Sequence, residues 1–191
     1  MRTQFPLFQG HLDLAHSAWN QIIEPGDTVI DATCGNGHDL LALMEMGASH
    51  AFAFDIQKEA IENSKQRCHE HLQKITWINE CHTHLPEQEV KLIVYNLGYL
   101  PGADKSITTQ EETSLASIRR GVSLVAPGGG VSITLYPGHP AGRLECARIL
   151  SWVATLCPRR FSVVHHRWAN RRSAPEWLLI TRGVGRRSDG D

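Results

Sequence analysis

The segment Asp31-Ala-Thr-Cys-Gly-Asn-Gly-His-Asp39 directly follows a short apolar run, Thr28-Val-Ile30, and decides the fold. A β-branched run of this kind predicts a buried strand, and the glycines allow the backbone to turn tightly against a ligand. The next residues, Leu40 to Met44, predict a helix whose free N–H groups point back at the turn. A strand, a glycine-rich turn and a helix form the first unit of a nucleotide-type binding site.

Two classes of ligand compete for this turn. A dinucleotide fingerprint G-x-G-x-x-G that begins at Gly35 requires glycine at position 40, where the chain has Leu40. The spacing instead fits the acidic-x-x-x-Gly-x-Gly turn of class I S-adenosylmethionine (SAM) methyltransferases, with Thr33 where many of them carry a further glycine. The turn therefore favours SAM over a dinucleotide.

A second unit follows the first. The segment His50-Ala-Phe-Ala-Phe-Asp55 predicts another strand, and it ends on an acid eighteen residues after Gly37. A carboxylate at that strand end can accept hydrogen bonds from both ribose hydroxyls of an adenosine ligand. Asp55 could equally cap the helix predicted from Gln57 to Leu72. It supports an adenosine ligand without distinguishing SAM from NAD.

Size and composition predict one domain spanning residues 1–191, with an N-terminal helical segment (1–26) and a disordered tail (184–191). Apolar residues make up 41% of the chain and charged residues 20%, which is typical of a globular protein. Five scattered cysteines argue against a disulfide framework and favour a reducing compartment. The sequence contains neither a run of transmembrane length nor an apolar signal core, so we expect no membrane association and a cytoplasmic location.

The net charge of −1 conceals an asymmetry along the chain. Residues 1–139 contain 9 Lys/Arg and 16 Asp/Glu, whereas residues 140–191 contain 10 arginines and 4 acids, a balance of +6. Arginine suits bidentate phosphate recognition and stacking on bases. A basic C-terminal third is therefore consistent with an RNA-binding surface, although a solvated arginine-rich surface would have the same composition.

Strands and helices alternate along the rest of the chain, which predicts a parallel sheet covered on both faces. The closing pair of strands, joined by one loop, predicts an antiparallel hairpin at the sheet edge. The fold class is thus α/β, a Rossmann-like class I methyltransferase with a seven-stranded, mostly parallel sheet. The predicted strands lie near 28–33, 50–55, 75–78, 91–96, 131–136, 161–168 and 177–182, and the predicted helices near 11–23, 38–46, 57–72, 109–124 and 140–156.

The segment Asn96-Leu-Gly-Tyr99 comes just after the fourth predicted strand, at the carboxyl edge where open α/β sheets bind ligands. It is similar to the Asn-Pro-Pro-Tyr motif of amino-group methyltransferases, with Leu and Gly in place of the prolines. Asn96 could accept hydrogen bonds from a substrate amine and aim its lone pair, and Tyr99 could stack on the substrate. The alternative is a strand-to-loop turn with a buried tyrosine.

Two further groups of residues could belong to the site. Tyr136-Pro-Gly-His139 ends the fifth strand, where histidine could bind substrate or accept a proton, or could simply form a turn. The repeat Cys68-His-Glu-His71 and Cys81-His-Thr-His84 has a composition that suits zinc. We prefer an adenine-side loop formed by Glu80, Cys81 and His82, and predict no metal.

Taken together, the segments Asp31–Asp39, Ala53–Gln57, Asn96–Thr109 and Gly138–Pro140 resemble the YtqB/MnmM family over nearly the whole chain. Members are described as rRNA methylases or as tRNA methyltransferases. The resemblance implies transfer of a methyl group from SAM to the amine of 5-aminomethyl-2-thiouridine at the wobble position, in the anticodon stem-loop of tRNA. Pro137, Glu80 and the arginine-rich loop 170–175 depart from the family pattern, which has histidine at position 137 and aspartate at position 80.

The predicted site combines the residues of these motifs with those that the resemblance implies. The sequence is also compatible with a homodimer. The alternatives are methylation of rRNA or of a small amine, and a nucleotide-binding module without methyl transfer. Asn96, Tyr99 and His139 are the candidate catalytic residues. The candidate SAM-binding residues are Asp31, Thr33, Gly35, Asn36, Gly37, His38, Asp39, Asp55, Gln57, Glu80, Cys81, His82 and Asn96. The candidate substrate-binding residues are Leu100, Pro101, Lys105, Tyr136, Arg171 and Arg172.

Overall fold

A computed structural model of the chain describes residues 10–98, 111–171 and 173–185. Helices and strands alternate along these residues as the sequence predicts. In chain order they are α1 His11–Ile22, β1 Thr28–Asp31, α2 His38–Glu45, β2 His50–Phe54, α3 Lys58–Arg67, β3 Ile75–Ile78, β4 Val90–Leu97, α4 Glu111–Leu124, β5 Val125–Leu135, α5 Pro140–Val153, β6 Phe161–His166 and β7 Glu176–Arg182. Most of the predicted tail 184–191 lies outside the described residues.

The seven strands of the described residues form one sheet in the order β3-β2-β1-β4-β5-β7-β6. Strands β1 to β5 pair in parallel, while β7 runs antiparallel to both β5 and β6. The predicted fold class is therefore confirmed, including the antiparallel hairpin. The strand order reverses between β1 and β4, and such a switch point opens a crevice at the carboxyl ends of the two strands.

Apolar side chains form one core on each face of the sheet, because strands buried on both faces must be covered by helices on both sides. Trp19 of α1, Leu43 of α2 and Ile61 of α3 belong to the core on one face. Ile118 of α4 and Ile149 of α5 belong to the core on the other. The first of these cores anchors α1 beside the crevice.

Strand β5 differs from the prediction, which placed the strand near residues 131–136. Residues 125–135 form a single irregular strand, because Val90 pairs with Val125 but Leu92 already pairs with Gly130. The extra residues bulge out of the ladder. A Cβ at Gly129 would lie 2.2 Å from the Lys91 carbonyl oxygen, so the glycines permit this close approach.

The helix predicted from 57 to 72 is also shorter than expected. α3 ends at Arg67, and a 3-10 turn, His69–Lys74, leads into β3. Leu72, which the prediction placed in the helix, is 40% exposed. No residue of the 3-10 turn is buried, so the turn has no core contact that would favour its continuation of α3 as an α-helix.

The glycine-rich turn packs directly on α3. Gly35 and Gly37 adopt φ values of +50° and +76°, in the left-handed region that favours glycine. The Ser64 hydroxyl of α3 donates to the Gly35 carbonyl at 2.9 Å. A Cβ at Gly37 would lie 2.9 Å from the Ser64 Cα atom, so the turn and the helix leave no space for a side chain there.

We predict that Gly37→Ala destabilises the protein more than Gly26→Ala does. Gly26 has φ +104° but nothing within 4 Å of an added Cβ, so its substitution reports the backbone strain alone, about 1–2 kcal/mol. Gly37→Ala adds a clash with backbone, for which about 1–3 kcal/mol more is expected. Urea denaturation of both variants measures the difference. Equal losses of unfolding free energy would contradict the close packing of the turn on α3.

Candidate active site

The carboxyl ends of β1 and β4 meet at the switch point and bring the two main motifs together. The Ala32 N–H donates to the Val94 carbonyl at 2.9 Å. The Asn96 N–H donates to the Thr33 hydroxyl at 2.7 Å, so the turn after β1 is bonded to the end of β4. Asn96 is the second-last residue of β4, which extends one residue beyond the end of the predicted strand 91–96. The contact gives Thr33 a role that glycine at this position could not fill.

A buried carboxylate lies at the centre of this junction. Asp39, in the first turn of α2, accepts a hydrogen bond from the Asn96 side-chain amide through its Oδ2 atom. Its Oδ1 atom lies 2.7 Å from Nε2 of His16, which comes from α1. Only 11% of the Asp39 side chain is exposed. The sequence suggested that Asp39 binds cofactor, and the structure places it in contact with the candidate catalytic residue Asn96.

This contact determines the orientation of the Asn96 amide. A carboxylate only accepts hydrogen bonds, so the amide directs its NH₂ group at Asp39 and leaves its oxygen for another donor. The Asn96 Oδ1 atom is buried and has no hydrogen-bond partner among the described residues. Buried acceptors are almost always paired in native proteins, so an unpaired one at a strand end indicates a place for a ligand.

Asp31 supplies a second unpaired buried oxygen in the same crevice. Its Oδ1 atom accepts from the Thr33 N–H at 3.1 Å, whereas Oδ2 has no partner among the described residues. Complete burial, together with the negative charge of Asp39, raises the pKa of the Asp31 carboxyl well above its usual range. A cationic ligand group at Oδ2 would reverse this effect, so the site has a position that suits an ammonium.

Asp55 ties the glycine-rich turn to β2. Its carboxylate accepts from the Gly35 N–H at 3.0 Å through Oδ2 and from the Gln57 N–H at 2.9 Å through Oδ1. Burial raises its pKa, and these two backbone hydrogen bonds oppose the rise. The alternative prediction, that Asp55 caps α3, is wrong, because the N-cap residue of α3 is Gln57. Each Asp55 oxygen keeps a lone pair for a further donor, as an adenosine ribose would require.

Other predicted cofactor residues border the turn. The Asn36 side-chain oxygen accepts from Asn63 at 3.2 Å, and its backbone carbonyl accepts from the Arg67 side chain at 2.7 Å. His38 is exposed at the start of α2. These contacts hold the far side of the turn against α3.

The predicted adenine-side residues have different environments. Glu80 is exposed and Cys81 is partly buried, both in the loop after β3. The His82 ring is 7% exposed and meets the Tyr95 ring edge-on, with 5.8 Å between centroids. Burial lowers the pKa of His82 to about 4, so the ring is neutral near pH 7. Its carbonyl accepts from the Ser117 hydroxyl at 2.7 Å, which joins the loop to α4.

Tyr136 and His139 follow β5 at the same edge of the sheet. Burial and the negative charge of Asp39 raise the pKa of the Tyr136 hydroxyl. The Tyr136 ring meets the ring of His11 edge-on at 6.3 Å. His139 is the N-cap of α5, and its Nδ1 atom accepts from the Gly142 N–H at 3.1 Å. Because Nδ1 accepts, the proton of the neutral ring lies on Nε2.

The sequence reasoning missed the histidines that α1 and β6 contribute. His16 contacts Asp39, and His11 lies beside Tyr136. Burial lowers the pKa of His11, the negative charges of Asp39 and Asp13 oppose this, and the nearby His166 of β6 makes the smallest contribution, a lowering. Nothing in the local sequence distinguishes these residues from the other histidines among the eleven of the chain. They reach the site only because α1 packs against the carboxyl ends of the strands.

Some predicted residues cannot be placed. Tyr99 among the catalytic candidates, and Leu100, Pro101, Lys105 and Arg172 among the substrate-binding candidates, lie outside the described residues.

The hairpin loop carries the remaining substrate candidate, Arg171. Its guanidinium lies 4.5 Å from the centre of the Trp168 ring, which forms a cation–π contact. This loop connects β6 to β7 at the edge where β5 ends, because Leu135 pairs with Glu176. Arg171 and Asn96 therefore lie at the same edge of the sheet.

The described ranges 10–98, 111–171 and 173–185 contain neither a metal-binding cluster nor a membrane-spanning helix. Within them no group of three or more His, Cys, Asp and Glu side chains is arranged to hold a metal ion. No helix in those ranges combines the length and the apolar character needed to cross a membrane.

Comparison with known proteins decides the family. The sequence profile of the family described as "Putative rRNA methylase" matches residues 51–182. The chain belongs to this family. A relative from Arabidopsis thaliana, named tRNA (mnm(5)s(2)U34)-methyltransferase, chloroplastic, is 35% identical over 185 residues, which cover 88% of this chain and 68% of the relative. The resemblance inferred from the motifs is confirmed.

Solved structures agree with this assignment. A "putative rRNA-methylase" from Clostridium thermocellum superposes with a TM-score of 0.87 at 29% identity, covering 92% of this chain and 98% of the other. A "putative methyltransferase" from Streptococcus mutans, solved in complex with SAH, gives a TM-score of 0.83 at 25% identity, with coverage of 92% and 99%.

Family and fold together make the protein a SAM-dependent class I methyltransferase. The residues of the crevice fit this cofactor on structural grounds alone. The unpaired Asp31 Oδ2 atom suits the ammonium of the methionine moiety, and the free lone pairs of Asp55 suit the ribose hydroxyls. The glycine-rich turn, held open by Gly35 and Gly37, allows the ligand to approach the backbone.

Proposed function

We propose that the protein methylates the primary amine of 5-aminomethyl-2-thiouridine at the wobble position of tRNA. The observation that carries the proposal is the Asn96 amide, whose oxygen is buried, has no hydrogen-bond partner among the described residues and is fixed in orientation by Asp39. The name of the Arabidopsis relative points to the same nucleoside of tRNA. A cytoplasmic location, expected from the sequence, is part of the proposal, whereas that relative is named as chloroplastic.

The chemistry requires an amine that is neutral, in line with the methyl group and about 3 Å from it. SAM, when bound, would supply an electrophilic methyl group and would leave as S-adenosylhomocysteine when the methyl–sulfur bond breaks. Asn96 Oδ1 would accept a hydrogen bond from the amine N–H, which leaves the nitrogen lone pair free for attack. The nitrogen becomes positively charged as its bond to carbon forms, and the neighbouring Asp39 carboxylate would stabilise that charge.

The basic part of the chain supports a nucleic-acid substrate. Residues 140–191 have a charge balance of +6. At the sheet edge that carries Asn96, Arg171 is exposed and packs on the partly buried Trp168. An arginine held flat on an indole presents its N–H groups toward phosphate oxygens or stacks on a base. We call the surface formed by Arg171 and Trp168 the rim. An enzyme that acts on a free small amine would not need such a rim.

We expect Asn96→Ala to lower the turnover number on the tRNA substrate by roughly two orders of magnitude, the scale for loss of one positioned polar group. The affinity for SAM should change little, because Asp31, Asp55 and the glycine-rich turn remain. Methyl transfer from labelled SAM to tRNA that carries 5-aminomethyl-2-thiouridine measures the first quantity, and calorimetry measures the second.

The matched control is Asn20→Ala, which removes an exposed asparagine from α1 and should leave both quantities unchanged. Parallel assays with rRNA and with small primary amines test the alternative substrates. Near-normal turnover of Asn96→Ala at saturating tRNA would end the catalytic assignment. Faster transfer to rRNA or to a free amine than to tRNA would reassign the substrate.

We expect Arg171→Ala to weaken tRNA binding and to reduce the slope of log affinity against log salt by about one unit or less, the effect of one lost phosphate contact. Arg171→Lys keeps the charge but loses the planar stack on Trp168. Compared with Arg171→Ala, it should therefore restore the salt slope more fully than it restores the affinity for tRNA. The control is Arg159→Ala, at the opposite edge of the sheet. Salt titrations of tRNA binding measure these effects, and equal losses in the Arg159 and Arg171 variants would argue against this rim.

A further inference from the structure

The orientation of the Asn96 amide depends on a residue from outside the sheet. His16 of α1 contacts one oxygen of Asp39, while Asn96 donates to the other. We infer that His16 is a positioning residue for methyl transfer, which acts through Asp39 to hold the Asn96 oxygen toward the substrate amine. This inference rests on the proposed function.

Amide orientation matters because the two ends of an asparagine side chain have nearly the same shape and opposite hydrogen-bonding character. In the orientation held by Asp39, the free end of Asn96 is an acceptor and takes an N–H of the amine. In the flipped orientation the free end would be a donor. It would bind the nitrogen lone pair, which is the electron pair that must form the new bond. An Asn96 side chain free to flip would therefore stabilise an unreactive arrangement of the substrate.

Asp39 can hold the amide only if its own carboxylate is fixed. Within the described part of the chain, the side chains that hydrogen-bond to it are those of His16 and Asn96, one on each oxygen. The carboxylate is nearly buried, and a buried oxygen deprived of its partner costs free energy. Removal of His16 would therefore favour rotation of the carboxylate or entry of water, and either change would loosen the bond to Asn96.

His16 is in turn held by the apolar core. Its ring lies 4.7 Å from the ring of Trp19, one turn further along α1, and Trp19 is 2% exposed. The indole anchors the helix on the sheet, so the imidazole is presented to Asp39 with little freedom. The chain of contacts runs from the core through Trp19, His16 and Asp39 to Asn96.

The kinetic test compares His16→Ala with His16→Gln. The alanine variant should lower the turnover number on tRNA roughly tenfold to a hundredfold, the scale for a small misplacement of reacting groups. The KM for tRNA and the Kd for SAM should stay within about twofold, because His16 is placed on neither ligand. Gln has an N–H donor at about the reach of histidine Nε2, so it should restore most of the turnover.

The control variant His69→Ala removes an imidazole from the exposed 3-10 turn and should match the wild type. Thermal melting curves confirm that each variant is folded before its kinetics are compared. A His16→Ala variant with wild-type turnover would overturn the inference. So would a folded His16→Gln variant that is as slow as His16→Ala, because the hydrogen bond to Asp39 would then not be what matters.

A second measurement does not depend on activity. In ¹⁵N-labelled protein the side-chain NH₂ signals of Asn96, identified by their loss in Asn96→Ala, report its bond to Asp39. These signals should move in His16→Ala, return in His16→Gln and stay in place in His69→Ala. If wild-type protein methylated no tRNA, the proposed function would fail, and unmoved Asn96 signals in His16→Ala would separately overturn the positioning role.

Discussion

The buried carboxylate of Asp39 is the constraint on which the site depends. It joins three elements that are distant in sequence, because it lies on α2 and bonds to His16 of α1 and to Asn96 of β4. A buried carboxylate must be paired to be tolerated, so the three elements are held in one arrangement. Burial raises the pKa of Asp31 and of Tyr136, and the negative charge of Asp39 adds to both rises. Any cation that enters the crevice, whether the methionine ammonium or a methylated amine, would relieve this repulsion.

Residues suited to the cofactor and residues suited to the substrate lie at the ends of different strands, along one edge of the sheet. The end of β1 and the turns after β1 and β2 supply Asp31, Gly35 and Asp55, which fit the cofactor. The end of β4 supplies Asn96, placed to orient an amine, and the β6–β7 loop carries Arg171. Because parallel strands end at a common edge, residues from distant parts of the sequence come together there.

Much of the fold was predictable from the sequence, because local residue patterns indicate most of the strands and helices. The β-branched runs and glycine-rich turns located the strands, and the absence of glycine at position 40 separated SAM from a dinucleotide. The irregular start of β5 was missed because Pro127 and the three following glycines are not typical of a strand, whereas Gly129 allows the close approach of the Lys91 carbonyl. Tertiary pairing outweighed local propensity there.

The site was predictable only in part, for the same physical reason. Asp31, Asp55 and Asn96 could be proposed because they lie at the ends of strands that must share an edge. His16 could not, because a histidine on an amphipathic helix has no local feature that reveals a partner on α2. His82 and His139 were proposed from their positions in the sequence, but the packing of His82 against Tyr95 and the hydrogen bond of His139 to Gly142 were not visible there. Contacts between distant segments require the fold.

The most direct measurement is mass analysis of tRNA nucleosides from cells that lack the gene and from the same cells supplied with the wild-type gene or Asn96→Ala. The proposed function predicts that 5-aminomethyl-2-thiouridine accumulates in the deletion and that its N-methylated product is missing. The wild-type gene should restore the product and the variant should not. An unchanged tRNA nucleoside profile, with a methylated nucleoside lost from rRNA instead, would contradict it.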